Sequence, residues 1–449
     1  MKKLIMKKCF KHIEIYFLSH KAILKFNDMK INIILFVFTL FASCSKDSLT
    51  DSSGTIISLS PIWSSSITDD GKISESGIIR STIYSNNGIL VGGRSNGYRS
   101  LLWLKSDLGT ILWKWQDYPS RVGLGSIDLY FPFVFNGDIV SQCSYYNIRI
   151  GLTDGKSKWA NISSSGFDIF NCFYSGSLYT GVQGINNENK KTPGIYTVNM
   201  NNGKQDLFLP VKVDPTDALA GTGFSGEVSF SYQFVNSNDT LISMIVTDPP
   251  ISGYRYRMTT SLYNVSKKQW IYERASLFNA NKGGVSGKPV ILGNYMYVCS
   301  GDGMACFDML TGNNKWINNF TDGGGPSGFL TSSPLIADGK IFIHNENTYL
   351  YCLDPSSGIQ IWRQGIFGTC SHMEYLNGVV YFVCGGDGKL YAIDAANGNK
   401  LWAISSPDLK TNSGASFDRY VGLVPPQNGQ KGKIVVTTGL NAYCYKAYK

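Results

Sequence analysis

LYAIDAANGNKLW, residues 390–402, decides the fold. Its Asp394 lies four residues before Gly398, and Gly398 four before Trp402. The same spacing returns in MACFDMLTGNNKW (304–316; Asp308, Gly312, Trp316) and in LYCLDPSSGIQIW (350–362; Asp354, Gly358, Trp362). A β-rich run, a turn opened by Asp and closed by Gly, then a Trp at fixed distance reads as two strands joined by a tight connection. Three such copies make a structural repeat.

Degenerate copies extend the register toward the N-terminus. Gly109 and Trp113 keep the Gly-to-Trp spacing, as do Gly155 and Trp159. Gly203 survives with Leu207 in the Trp place, and Trp270 survives with Ser266 in the Gly place. Trp63 closes SLSPIW. From Trp63 the steps are 50, 46, 48, 63, 46, 46 and 40 residues, and seven of the nine Trp fall on them. Each unit reads as four short β-rich runs separated by turn chemistry; between Trp316 and Trp362 these are TSSPLIADG, KIFIHN, TYLYCLD and IQIWRQ. Repeats of this length with four strands each are propeller blades.

The reading is therefore all-β, an eight-bladed β-propeller, with seven blades as the alternative because the unit between Leu207 and Trp270 is irregular. After Trp402 the chain holds enough residues for three strands, KIVVTTG and NAYCYKA being the clearest. TIISLSPIW, residues 55–63, is expected to supply the fourth strand and so to close the last blade, which removes exposed sheet edges.

The motif resembles the quinoprotein-type, PQQ-like propeller repeat, whose blades carry a Tyr-Ala-Leu-Asp strand, a Thr-Gly turn and a docking Trp. The resemblance covers about 54–449 and is strongest in the last three complete units. It implies that Trp63, Trp113, Trp159, Trp270, Trp316, Trp362 and Trp402 stack against the neighbouring blade beside turn glycines such as Gly312, Gly358 and Gly398. Their recurrence at one blade position makes them structural rather than a sugar-stacking platform.

Composition agrees. Only 16% of residues are charged, against about 25% in an average soluble domain, while the chain holds 48 Gly and is 13% aromatic. The net charge of +9 is concentrated at the start: residues 1–43 carry eight Lys and two acids. No clustered basic run follows Lys46, so nucleic acid is not expected as a partner.

Residues 31–43, INIILFVFTLFAS, are apolar and uncharged, and Cys44 follows at once. Thirteen helical residues span about 20 Å, short of a bilayer core of about 30 Å, so the segment reads as the h-region of a signal peptide. Ala42-Ser43-Cys44 resembles the lipobox of bacterial lipoproteins, in which the Cys is lipidated. The expected organisation is a lipoprotein signal peptide over 1–43, with translation starting at Met29; an anchor and flexible tether over 44–53; and the propeller over 54–449. Ser45 after the anchor Cys favours the outer membrane, on its periplasmic or surface face.

Asp308, Asp354 and Asp394 precede turns, where a carboxylate accepts backbone N–H groups. Cys306 and Cys352 sit where a neighbouring copy has Ala392, as small buried residues do. A cross-strand disulfide between Cys299 and Cys306 is left open, and no C-x-x-C supports a zinc or dithiol site. His344 replaces Val298 and Val383 of neighbouring copies and reads as a strand residue. GGVSGKP at 283–289 lacks the Gly and Ser/Thr of a phosphate loop. Tyr254, Arg255, Tyr256 and Arg257 follow a Pro-Pro-Ile-Ser-Gly break and are the candidate partner-binding run; their alternative is a strand with Tyr packed and Arg solvated. INNENKKTPG near residue 190 is a second candidate surface.

No catalytic residues, metal or cofactor are expected. The adjacent Cys pair that quinoprotein dehydrogenases place over their quinone is absent. A lipoprotein leader, a short tether and a propeller resemble the lipoprotein subunit of the outer-membrane β-barrel assembly machinery. That resemblance implies a non-enzymatic scaffold with an envelope protein partner, anchored to the membrane through its lipid. The alternative is a quinone-dependent or sugar-active enzyme using the central funnel.

Overall fold

The computed structural model describes residues 59–448 apart from 74–78, 80, 97, 118–128, 144–145, 163–170, 175–176, 186–193, 212–223, 249–255, 281–286, 301–302, 321–332, 369 and 428. The leader, Cys44, the tether and INNENKKTPG except its two end residues lie outside the described residues.

The chain enters on β1 (Trp63–Ser66). The first sheet is β2 (Tyr84–Ser85), β3 (Gly88–Ser95), β4 (Tyr98–Lys105) and β5 (Ile111–Lys114), in that order. The second is β6 (Leu129–Phe135), β7 (Asp138–Cys143), β8 (Tyr146–Gly151) and β9 (Ser157–Ile162). Next come β10 (Asn171–Tyr174), β11 (Ser177–Ile185), β12 (Gly194–Val198) and β13 (Gln205–Pro210). They are joined in one eight-stranded sheet to β14 (Phe224–Asn236), β15 (Asp239–Asp248), β16 (Tyr256–Asn264) and β17 (Gln269–Ala280). Three four-stranded sheets follow. They are β18 (Val290–Leu292), β19 (Tyr295–Cys299), β20 (Met304–Asp308) and β21 (Asn314–Asn318); β22 (Leu335–Ala337), β23 (Lys340–Asn345), β24 (Tyr349–Leu353) and β25 (Gln360–Gly365); and β26 (Glu374–Leu376), β27 (Val379–Cys384), β28 (Lys389–Asp394) and β29 (Lys400–Ser405). The last sheet is β30 (Phe417–Val424), β31 (Lys433–Thr438), β32 (Asn441–Lys446) and, at its outer edge, β1.

The two ends of the domain thus share a sheet: Trp63 pairs with Cys444 and Ser66 with Asn441. Of the expected TIISLSPIW strand only its final Trp63 lies in β1, and pairing runs on to Ser66.

Strand chemistry follows depth in each sheet. The second strand β27, VVYFVC, is buried at every position, as a strand covered on both faces requires. The outer strand β25, QIWRQG, buries only Trp362. Four of the first hairpins turn on two residues with left-handed backbone, Asn86-Asn87, Asn136-Gly137, Asp338-Gly339 and Asn377-Gly378. That is the I′ geometry that matches strand twist.

The docking position is a lock between consecutive units. Trp316 donates its indole N–H to the Pro355 carbonyl at 3.0 Å, and a Cβ on Gly358 would stand 2.5 Å from its ring. Gly358 also has φ +70°, so glycine is required there twice over. The acceptor is the residue three before the turn Gly, and it recurs: Trp63 to Ser106 at 3.1 Å, Trp113 to Leu152 at 2.8 Å, Trp159 to Met200 at 2.8 Å and Trp362 to Ala395 at 3.3 Å. The turn itself is opened by Asp: Asp354 accepts the N–H groups of Ser356 and Ser357, and Asp394 that of Ala396. Burying one indole removes about 150–250 Å² from water, an upper bound of about 4–6 kcal/mol.

Two junctions depart from the pattern. On β17 the docking residue is Tyr272, not Trp270: its hydroxyl donates to the Met309 carbonyl at 2.8 Å and its ring covers Gly312. Register shifts between β16 and β17 move the ring by two residues. Trp270 instead meets Tyr263 edge-on at 5.0 Å. The indole N–H of Trp402 has no partner among the described residues. At the other junctions the accepting carbonyl lies in the turn that joins the third and fourth strands of the next sheet; here those strands are β32 and β1, which come from opposite ends of the chain and share no turn.

The expected eight blades are corrected to seven sheets, the alternative count. β11 outruns its own unit, and its last residues pair with β14, Gln183 opposite Glu227 and Ile185 opposite Phe224. This seam lies at the junction where the lock has lost both halves, Leu207 replacing the Trp and Ser266 the Gly. Backbone pairing and a shared apolar cluster including Leu209, Val228 and Met244 hold that junction instead.

The open Cys299–Cys306 disulfide is not formed. Cys299 stands opposite Met304 and Cys306 opposite Tyr297, and both are free buried thiols.

Candidate functional site

The first strands of successive units surround one cavity of about 850 Å³. Phe133 of β6, Tyr232 of β14, Val290 of β18, Leu335 of β22 and Glu374 of β26 all line it, so it is the ring's central channel. Its wall is mainly apolar with a few polar groups, the make-up of a small-ligand or peptide-tip site.

The hairpin register shows how the sequence builds this wall. In five of the units the residue four before the one that opens the first hairpin faces the cavity: Ser81, Tyr232, Lys288, Ser333 and His372. The docking position is nearly constant around the ring, whereas this inner position carries a hydroxyl, a phenol, an ammonium and an imidazole. Constancy where units meet and variety where they face the channel separate holding from recognition.

The polar centre of the channel is Glu374. Its carboxylate accepts the Thr82 hydroxyl at 2.6 Å, and the Thr82 oxygen in turn accepts the Leu423 N–H at 3.0 Å. These bonds join the first, penultimate and last sheets where the ring closes. His372 Nε2 lies 3.4 Å from the same carboxylate, an ion-pair distance without hydrogen-bond alignment. The His372 ring meets Tyr420 edge-on at 5.9 Å. Burial, and secondarily the Glu374 charge, pushes the Tyr420 phenol far up, so it stays neutral and donates to the Leu90 carbonyl at 2.8 Å. Lys288 adds a cation to the wall, with its backbone N–H held by Ser333 Oγ at 2.8 Å. The channel therefore offers one oriented carboxylate, an imidazole beside it and an ammonium in apolar surroundings.

His344 is fully buried outside this cavity, with Nε2 3.1 Å from the Ser371 carbonyl. Burial depresses its pKa to about 4, so it is a neutral strand residue. Tyr254 and Arg255 lie outside the described residues. Tyr256 and Arg257 open β16, paired with Ala280 and Asn279 of β17, and Arg257 also faces Asp248 of β15. Within the described residues the run is thus sheet, and the structure does not bring it into the channel wall. The residues missed by sequence reasoning are Thr82, Lys288, His372 and Glu374. Thr82 and Glu374 are 292 positions apart, and the one signal that joins them is alignment of the inner strand across the repeat.

Among the described residues, no helix is long and apolar enough to cross a membrane, and no three His, Cys, Asp or Glu converge to hold a metal ion.

Residues 264–355 and 323–436 match the family described as outer membrane protein assembly factor BamB. No curated protein matches the chain in sequence. In fold it is similar to BamB from Moraxella catarrhalis, with 11% identity and a TM-score of 0.54, covering 87% of this chain and 100% of that one. It is similar to the quinohemoprotein alcohol dehydrogenase of Comamonas testosteroni, with 11% identity and a TM-score of 0.59, over 90% of this chain and 78% of that one. It is also similar to Saccharomyces cerevisiae Sqt1, with 11% identity and a TM-score of 0.60, over 88% of this chain and 100% of that one. At such identities the likeness is one of fold. By repeat motif and matched segments, residues 264–436 carry the quinoprotein-type, PQQ-like propeller repeat.

Proposed function

We propose that the chain is a membrane-anchored, non-enzymatic propeller lipoprotein, a protein-binding scaffold of the bacterial cell envelope that acts in outer-membrane protein assembly. The observation that carries this reading is the division within the repeat. Six aromatic locks hold the ring, while the channel-facing position varies from unit to unit. A rigid ring presenting unlike side chains on one concave surface is a recognition surface. The printed description of the matching family supports an assembly role, and the leader ending at Cys44 supports lipid anchoring. Tyr254, Arg255, Tyr256 and Arg257 are proposed as a second contact beside the sheet that β16 enters.

The test is affinity purification of the tagged full chain from membranes in mild detergent. Recovery of an outer-membrane β-barrel protein or its assembly factor is expected; recovery of the chain alone contradicts the reading. Cys44→Ala should release the chain from the membrane fraction, and retention would remove the anchor from the proposal.

The second reading, an enzyme using the channel, is favoured by the cavity itself. Its donor set does not fit a cation-assisted quinone. The carboxylate of the described wall, Glu374, is already engaged by Thr82 and faces His372, so no step is derived through such a group.

A further inference from the structure

We propose that Cys370 and Cys384 form a disulfide that clasps the channel-lining segment 372–374 to the second strand of its own sheet. The two residues face each other in an isolated antiparallel bridge. The neighbouring Ser371 N–H donates to the Val383 carbonyl at 2.8 Å, so the flanking residues carry the backbone bonding and the Cys pair occupies a non-hydrogen-bonded position. Such pairs approach to a Cα separation of about 4.5 Å, at the near end of the disulfide range.

The side chains converge as well. Cys370 Sγ lies 3.5 Å from the Phe367 carbonyl oxygen, and Cys384 Sγ contacts the same oxygen. Both thiols are buried, at 5% and 0% exposure. A hydrogen bond from Cys370 draws the Cys384 thiol below its ordinary pKa, while burial pushes Cys370 well up. The other cysteines with described side chains, Cys299, Cys306, Cys352 and Cys444, stand opposite residues that are not Cys.

The chemistry is exchange with an external disulfide, small-molecule or protein. The Cys384 thiolate attacks one sulfur of that disulfide and expels a thiolate, which takes up a proton. The Cys370 thiolate then attacks the Cys384 sulfur and expels the second thiolate, which is also protonated. Two thiols of this chain are oxidised, and one external disulfide is reduced to two thiols. Because both sulfurs are buried in the folded ring, exchange precedes docking of the segment during folding. The bond closes a loop of about 15 residues that carries His372 and Glu374, and so fixes the backbone under the polar centre of the channel.

Formation in cells rests on the envelope reading proposed above; the pairing rests on geometry alone. The full chain is exported with its own leader and quenched in acid, its free thiols are alkylated under denaturing conditions, and it is cleaved after Lys, Arg and Glu. In parallel, the full chain is synthesised cell-free with oxidised glutathione present, so that it folds for the first time under oxidising conditions. The expected product in both arms is a pair of unlabelled peptides, divided at Glu374, that stay joined until reductant is added. Reduction should lower the melting temperature by about 3–4 °C, and Cys370→Ala/Cys384→Ala should abolish that dependence. Alkyl label on both cysteines in both arms overturns the proposal, as does a redox-dependent melting shift that persists in the double variant. Linkage in the cell-free arm alone sustains the pair and contradicts the envelope reading.

Discussion

The indole of Trp316 and the backbone of Gly358 touch across two sheets so closely that a methyl group at Gly358 would stand 2.5 Å from the ring. The lock joins a ring on one outer strand to the turn ahead of the next, and it is repeated with only local substitutions around the propeller. It explains why the motif keeps its Gly and Trp while almost everything between them changes.

Substituting that glycine should therefore be expensive. Gly358→Ala combines a forced overlap with an unfavourable left-handed backbone and is expected to cost about 2–4 kcal/mol. Gly339→Ala is the control. Gly339 has a similar φ of +66°, with no atom within 4 Å of the added Cβ, and the cost should be about 1 kcal/mol. Urea unfolding of the full chain reads the difference; equal costs would mean that the close approach contributes nothing.

Trp113 and Trp402 separate the ring's apolar contribution from its hydrogen bond. Trp113 donates to the Leu152 carbonyl at 2.8 Å, whereas the buried Trp402 N–H has no partner among the described residues. Trp113→Phe should cost about 1–2 kcal/mol more than Trp402→Phe. The same unfolding measurement decides it.

The seam between β10–β13 and β14–β17 predicts tolerance where the other junctions are strict. Leu207 is 45% exposed, so Leu207→Ala should cost under about 1 kcal/mol, against about 3–5 kcal/mol for Trp159→Ala at the preceding junction. A comparable loss at both positions would show that the Leu207 side chain, not the β11–β14 pairing, holds the junction.

His344 gives stability an acid limb. Its folded pKa of about 4 lies below the ordinary value of 6.5, so the unfolded chain binds the extra proton between those values. Its contribution is complete above about pH 6.5 and is lost as pH falls toward 4, by up to about 3 kcal/mol. His344→Gln, which can keep a donor toward the Ser371 carbonyl, should lose less stability between pH 7.5 and pH 5 than the parent chain. Identical pH profiles in denaturant would remove His344 from the account.

The propeller class and its closure by the N-terminal strand were legible, because the repeat writes the Gly–Trp lock locally and at fixed spacing. The sheet count was not. Leu207 and Ser266 mark a junction without its lock, but nothing in their spacing says that β11 continues onto β14. Trp270 was misplaced for a related reason, since bulges between β16 and β17 shift which residue reaches the next turn. Cys299 and Cys306 flank one turn and invited a pairing that strand register forbids. Cys370, ahead of the first strand of its sheet, faces Cys384 on the second, and no short motif joins them. The channel centre was invisible to motif reading, since Thr82, Glu374 and Leu423 meet only when the ring closes.

The most direct test of the division between holding and recognising positions is quantitative partner recovery from detergent-extracted membranes, with Lys288→Ser/His372→Ser compared against the parent chain. The double variant should keep its melting temperature and lose envelope-partner recovery by about tenfold, equivalent to about 1.4 kcal/mol of binding. Undiminished recovery by a variant that melts like the parent would contradict the account.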